Sequence, residues 1–310
     1  MKKERIQLSN TYSLTLDETK AHLFCSRSRF SQRFIFPQMQ EKIHFSKLQY
    51  CSQFLSADGE YIALYNPLCQ LEIYHTGNIE KPILRQRFKG AETGCFCFGN
   101  KNTAFVASGH VVYALDLMNP QSIRVIYGQP LTRYGDEALH TYGHMLSIAF
   151  HNDKLFLLHT HKGKKQIITI SCKDFSVLDQ VLLPEAFWKY SQLLVDANGN
   201  QFLLYQDGKM PILVFSDASA RFTSPDQEIY LPATYNACFS PNNQYFSAIA
   251  LENREQWTQS CWLFETNTWK PIDVIHNIRA HEVRFSIQNG YWLIGGRDCF
   301  ITKIDSNPQV

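Results

Sequence analysis

Short apolar runs alternate with polar turns along this chain, and the alternation has a long period. An apolar strand ends in a short polar turn, a more continuous apolar strand follows, and a third comes within about twenty residues. The clearest copies are Phe54-Leu-Ser-Ala-Asp-Gly-Glu-Tyr-Ile-Ala-Leu-Tyr65, Cys238-Phe-Ser-Pro-Asn-Asn-Gln-Tyr-Phe-Ser-Ala-Ile249 and Val283-Arg-Phe-Ser-Ile-Gln-Asn-Gly-Tyr-Trp-Leu-Ile294. The last apolar residue before each turn falls at Leu16, Leu55, Phe98, Phe150, Val195, Phe239 and Phe285, in steps of 39, 43, 52, 45, 44 and 46 residues. Four short strands with their turns consume about 40 to 50 residues, so this period belongs to radial arrays of β-sheets rather than to helical solenoids.

The second unit shows how the strands divide. Cys51 to Ala57, Tyr61 to Tyr65, Leu71 to His75 and Ile83 to Phe88 read as four strands, with Asp58-Gly59 turning the first into the second and Asn66-Pro67 breaking the chain after the second. Second strands that are apolar throughout, such as Ala104 to Ala107, Leu155 to Leu158 and Phe202 to Tyr205, are expected where a sheet is covered on both faces. Residues 282 to 305 supply only three strands of a seventh unit, while residues 4 to 11 alternate like a strand before the first unit begins. The pattern therefore predicts an all-β seven-bladed β-propeller with four-stranded antiparallel blades. Its last blade is closed by the N-terminal strand, which covers an edge that would otherwise be open to aggregation. Residues 1–310 are expected to form one domain.

These units resemble those of the WD40-type β-propeller family over nearly the whole chain. Phe239-Ser-Pro-Asn-Asn and Leu55-Ser-Ala-Asp-Gly are similar to that family's first-strand ending, and Trp262-Leu-Phe-Glu-Thr-Asn-Thr-Trp-Lys-Pro271 to its third strand and following turn. The Trp-Asp dipeptide is missing throughout, and Gly143-His144 lies only six residues before Phe150, closer than the family's Gly-His pair. The resemblance implies a platform that binds other macromolecules without catalysis.

Composition narrows the field. Hydrophobic residues make up 45% of the 310, aromatic residues 14% and charged residues 19%, which suits a large packed core and not disorder. The net charge of +2 gives no global field for nucleic acid or anionic membrane, so no nucleic-acid partner is expected. The first ten residues lack the apolar core of a secretory signal, and no stretch approaches the roughly 18 apolar residues of a spanning helix. A soluble, cytoplasmic protein without membrane insertion is expected. Nine cysteines without paired spacing read as reduced core thiols, and Cys95 with Cys97 as two packed thiols rather than half of a zinc site.

In a propeller ordered as in this family, the inter-blade connections and the hairpins after each second strand share one face, and a protein or peptide partner is expected there. The connections contribute Tyr50, Arg133, Tyr134, Trp188, Tyr190, Tyr235 and His281, with His140 and Arg279 beside them. The hairpins contribute Arg254, Trp257 and Arg297, with Arg27, Arg29, Lys162 and Lys164. Aromatic residues and arginine bury large areas and make forked hydrogen bonds, which is why they dominate binding hot spots. The bland alternative is that such aromatics cap the inner strands. The long hairpin Glu252-Asn-Arg-Glu-Gln-Trp-Thr-Gln259 is the most unusual insertion within a blade.

The opposing reading is a metal-dependent hydrolase or lactonase with a site in the central channel. It would use His140, His144 and Glu137, or the pair His159 and His161, as ligands. Histidines hydrogen-bonded to backbone account for the same residues more simply. The chain carries no Gly-x-Ser-x-Gly elbow, no phosphate-binding glycine loop and no His-Glu-x-x-His motif, so no catalytic residue and no cofactor are assigned.

Overall fold

The computed structural model describes residues 3–5, 11–88, 94–130, 143–206, 210–216 and 222–304. Each recurring unit of sequence is one four-stranded antiparallel sheet, and seven such sheets follow one another along the chain. The protein is an all-β, seven-bladed β-propeller. Its residues group into two compact units.

The first unit comprises residues 1–53, 207–210 and 230–310. One of its sheets holds β2 (Thr11–Asp17), β3 (His22–Arg27), β4 (Ser31–Ile35) and β5 (Gln40–Ser46). A second holds β22 (Thr234–Phe239), β23 (Tyr245–Asn253), β24 (Thr258–Glu265) and β25 (Lys270–Ile278). The third takes three strands from the end of the chain, β26 (Ala280–Phe285), β27 (Tyr291–Gly296) and β28 (Phe300–Lys303), and its fourth, β1 (Lys3–Arg5), from the beginning. Lys3 lies opposite Thr302 and Arg5 opposite Phe300. The N-terminal strand thus completes the last blade, as the sequence predicts, though the expected range 4–11 runs one residue into the next blade. Thr11 already belongs to β2, and residues 6–10 lie outside the described residues.

The second unit comprises residues 54–206 and 211–229. Its sheets are β6 (Ser52–Leu55) to β9 (Leu84–Arg87), with β7 (Tyr61–Tyr65) and β8 (Gln70–His75) between them, then β10 (Gly94–Phe98), β11 (Thr103–Ser108), β12 (Val111–Asp116) and β13 (Ile123–Tyr127). The next is β14 (His144–His151), β15 (Lys154–His161), β16 (Lys164–Ser171) and β17 (Val177–Leu182), and the last β18 (Gln192–Val195), β19 (Phe202–Tyr205), β20 (Ile212–Phe215) and β21 (Gln227–Ile229). Strands β7, β19 and β20 are buried at every position, the consequence of neighbours on both faces of the sheet. In this unit Phe105, Val112, Leu157 and Ile168 share one apolar cluster. In the first unit Ile249, Leu263, Val283 and Trp292 share another, and the Trp292 indole N–H donates to Ser247 Oγ at 2.9 Å.

The polar turn that marks the repeat has a physical cause. After β6 the Ser56 hydroxyl donates to Asp58 Oδ1 at 2.6 Å and accepts from the Tyr61 N–H at 2.9 Å. Ser240 repeats both bonds with Asn242 (2.8 Å) and Tyr245 (2.9 Å), and Ser286 accepts from the Tyr291 N–H at 2.9 Å. A short hydroxyl or amide side chain satisfies backbone groups that the tight turn strands, so serine recurs where the first strand stops and tyrosine where the second starts. A second regularity lies at the opposite end of the first strand. β-Bulges interrupt β2 between Thr11 and Ser13, β14 between Met145 and Ser147, β22 between Thr234 and Asn236 and β26 between Ala280 and Glu282. The residue after the bulge reaches the next blade: Ser147 Oγ donates to the Leu193 carbonyl at 3.1 Å, and Asn236 Oδ1 accepts from the Val283 N–H at 3.0 Å. The bulged residue itself is left to point elsewhere.

Candidate docking face

In the first unit the bulged residues are Tyr12, Tyr235 and His281, and they create an aromatic surface. The Tyr12 ring stacks on the His281 imidazole at 5.7 Å and 24°, and meets the Tyr50 ring edge-on at 5.6 Å and 72°. Tyr12 is 39% exposed, Tyr235 40% and Tyr50 50%. Packing between the rings fixes their positions while one side of each stays wet. Tyr50 adopts a left-handed backbone (φ 52°), and its N–H donates to the Ser28 carbonyl at 3.3 Å, which joins the connection before β6 to the hairpin between β3 and β4.

Trp257, 60% exposed, is the second aromatic in this unit that a left-handed backbone (φ 51°) presents to solvent. Its hairpin is shaped by Asn253, whose Oδ1 accepts from the Glu255 and Gln256 N–H groups at 2.9 and 3.1 Å. Glycine or asparagine is the ordinary occupant of such a position, so a tryptophan there carries a local cost that packing does not repay. Arg254 stands exposed in the same hairpin.

Arg279 and Arg297 are brought together by backbone. The N–H groups of Arg297 and Asp298 donate to the Arg279 carbonyl at 2.8 and 3.2 Å, and the Arg279 N–H donates to Asp298 Oδ2 at 3.2 Å. The approach is close enough that a Cβ at Gly296 would lie 2.2 Å from the Arg279 carbonyl oxygen and 2.6 Å from Ala280 Cα. Both arginine side chains are exposed. Beneath this layer Glu282 is buried, and Arg284 Nη2 donates to its Oε1 at 2.5 Å. Burial raises the Glu282 pKa, and Arg284, Ser13 and the Leu14 backbone oppose the rise. Partial desolvation lowers the His281 pKa from its ordinary value.

The sequence-predicted residues divide accordingly. Tyr50, Tyr235, Arg254, Trp257, His281 and Arg297 all lie at this end of the first unit and are exposed. Tyr12 was missing from the prediction. In the second unit Trp188 is half-buried, its indole N–H donating to the Leu183 carbonyl at 2.8 Å. Tyr190, 2% exposed, packs edge-on to Phe187, and its carbonyl accepts a hydrogen bond from Lys165 Nζ. Tyr190 is therefore an interior residue, the capping role that was its alternative. Arg133, Tyr134, Glu137 and His140 lie outside the described residues.

The candidate lysines and the remaining candidate histidines of the second unit sit in one sheet, β14 to β17. Lys162 and Lys164 are exposed at the hairpin, whereas Lys165 is buried, and burial lowers its pKa. His144 lies opposite Thr160, its pKa lowered first by burial and then by Lys165. β15 stays regular against β16 through His159 and His161, but His159 is buried with its Nδ1 3.1 Å from Gln166 Nε2. Among the described residues no three His, Cys, Asp or Glu side chains form a group that could hold a metal ion. The nine cysteines form no disulfide, and burial pushes Cys95 and Cys238 up to about 12.

A β-propeller whose irregular end carries solvent-facing tyrosines, a tryptophan and arginines is the class of molecule these observations define. No protein-family model matches the chain, and no curated protein does. Solved structures match over nearly its full length. The β-propeller domain of Cps50 (Swd1) from Myceliophteria thermophila aligns with a TM-score of 0.69 and 13% identity, covering 97% of this chain and 98% of that one. Hydrazine synthase from Kuenenia stuttgartiensis aligns with a TM-score of 0.69 and 9% identity, covering 98% of each chain. At these identities the likeness is one of fold.

Proposed function

We propose that this chain is a non-catalytic interaction scaffold of the WD40 type, working in the cytoplasm as one domain and presenting the Tyr12 end of its first unit to a protein or peptide partner. The observation that carries the reading is the packed but exposed trio of Tyr12, Tyr50 and His281. Tyr12, held between the Tyr50 ring and the His281 imidazole, loses little entropy on binding, because its rotamer is already restricted. Trp257, Arg279 and Arg297 at the same end add the residue types that most often anchor an interface. The match to the β-propeller domain of Cps50 (Swd1) supports the fold on which the reading stands. Nine cysteines without a disulfide, six of them buried, suit a reducing compartment.

Affinity purification from the native cell tests the proposal. A stoichiometric partner is expected with the unaltered chain and is expected to be lost when Trp257→Ala and Arg297→Ala are combined. Recovery that is indifferent to this double change removes the face from consideration.

A further inference from the structure

The chemistry of the partner can be read from the charges around the trio, and this step rests on the docking face just described. Arg27 lies opposite Thr11, one residue from Tyr12, with Arg29 in the adjoining hairpin whose Ser28 holds Tyr50. On the other side of Tyr12, His281 is two residues from Arg279, which the backbone ties to Arg297. Arginines therefore stand on the strands and hairpins to both sides of the aromatic trio, with Arg254 farther along in the Trp257 hairpin.

The carboxylates at this end are already engaged. Asp298 accepts the Arg279 N–H, Glu252 binds His276 and accepts the Asn277 N–H at 3.2 Å, and the buried Glu282 is held by Arg284. Glu255, in the exposed hairpin, faces solvent, and among the described residues no such bond engages its side chain. The Arg27 guanidinium lies 5.8 Å from the centroid of the Phe30 ring, and its Nε is buried without a hydrogen bond in the described structure. The whole chain carries a net charge of +2, so an excess of arginines gathered around one aromatic cluster is a local feature and not an average one.

We infer that the docking face takes an acidic segment of a protein partner, its carboxylate or phosphate groups forked by the flanking arginines and an apolar or aromatic side chain laid on the Tyr12–Tyr50–His281 trio. Arginine suits this role because its planar fork pairs with carboxylate or phosphate through two hydrogen bonds and is weakly hydrated. A basic or purely apolar segment would have to leave the guanidinium groups unmatched and desolvated, which is the costly arrangement.

A random peptide library selected on the immobilised full chain provides the test. A parallel selection uses the Arg279→Glu, Arg297→Glu double variant, whose altered side chains are exposed, with circular dichroism and melting temperature confirming the fold. Enriched sequences are expected to be net acidic, to lose at least tenfold in affinity on the charge-reversed variant, and to weaken as salt rises. Phosphorylated and Asp/Glu versions of the enriched peptides, compared side by side, separate phosphate from carboxylate recognition. Neutral or basic enriched peptides that are lost on Tyr12→Ala would leave the docking face standing and overturn its acidic partner. Peptides insensitive to Tyr12→Ala and to charge reversal, an empty selection, or preferential capture of single-stranded RNA by the same face would overturn the inference as well.

Discussion

The two ends of the first unit are built on opposite principles. At the turn end, between first and second strands, two of the unit's three blades solve the same problem in nearly the same way, and the third uses Asp17 in place of serine. Ser240 and Ser286 satisfy their turns internally, and neighbouring turns then lock together: Glu18 accepts from the Ser286 hydroxyl and from the Gln288 and Gly290 N–H groups at 2.7 and 2.9 Å, while Asn289 accepts from the Asn242 N–H at 3.1 Å. At the bulge end the backbone is equally well pinned, at Ser28 and Arg279, but the side chains it carries differ from blade to blade and stay in solvent. Regularity marks what the fold requires. Departure from it, in Tyr12, Tyr50, Trp257 and the arginines, marks what the fold leaves available for recognition.

The largest effect is expected where that division fails, because at Gly296 the bulge end is itself a packing problem. Gly296→Ala places a methyl against the Arg279 carbonyl and Ala280 Cα, backbone atoms that cannot swing aside. A loss of about 3 kcal/mol is expected, together with displacement of Arg279 and Arg297. Urea unfolding and partner capture should both register it, and a fully stable Gly296→Ala protein would show that the approach is looser than described.

Glu18→Ala sharpens the comparison from the other end. It removes the acceptor of three hydrogen bonds that join the turn of one blade to the turn of the next, and about 2 kcal/mol of stability should go with it. Partner capture should be unchanged, since nothing at the turn end belongs to the docking face. Tyr12→Ala should behave in the reverse manner. Its ring is partly solvated, so stability should fall by less than about 1 kcal/mol, whereas partner capture should drop at least tenfold. If Tyr12→Ala unfolded the protein and left the surviving fraction fully competent, the division between the two ends would be wrong.

The same division explains what could be read from residues alone. Three blades are legible because Ser56, Ser240 and Ser286 stand at one structural position and their turns write the same short pattern, and the long period of the apolar strands marks the rest. β7 appears in the structure with the limits the pattern predicts, Tyr61–Tyr65. The closing strand is legible in the pattern but its boundary is not, because alternation runs through residues 4 to 11 while Thr11 already belongs to β2. Tyr12 went unnoticed for a related reason. A bulge reverses the side to which one residue points, and no residue type announces it. Tyr190 shows the converse: a tyrosine in a connection reads as surface or as a cap, and only the fold shows it turned inward beside Phe187. Lys165 repeats that lesson, since its basic hairpin suggests solvent while its ammonium reaches the Tyr190 carbonyl.

The smallest effect expected is also the most local. Desolvation lowers the His281 pKa below its ordinary 6.5, so the folded protein holds this imidazole neutral at a pH where the unfolded chain has begun to protonate it. Between the two values the unfolded state binds more protons, and His281 therefore favours folding above pH 6.5 and withdraws that contribution as pH falls towards the folded value. Nuclear magnetic resonance of the imidazole protons should place the midpoint below 6.5, and Tyr12→Ala, by uncovering the ring, should move it upward. An acidic peptide on the docking face should move it upward too, because a nearby negative charge favours the imidazolium. The two shifts have different origins and can be told apart by salt, which screens the effect of the peptide's charge and leaves the effect of uncovering the ring largely in place. A midpoint indifferent to Tyr12 would mean that the stacked pair does not shield the histidine, and the aromatic half of the bulge end would then have to be reconsidered separately from its arginines.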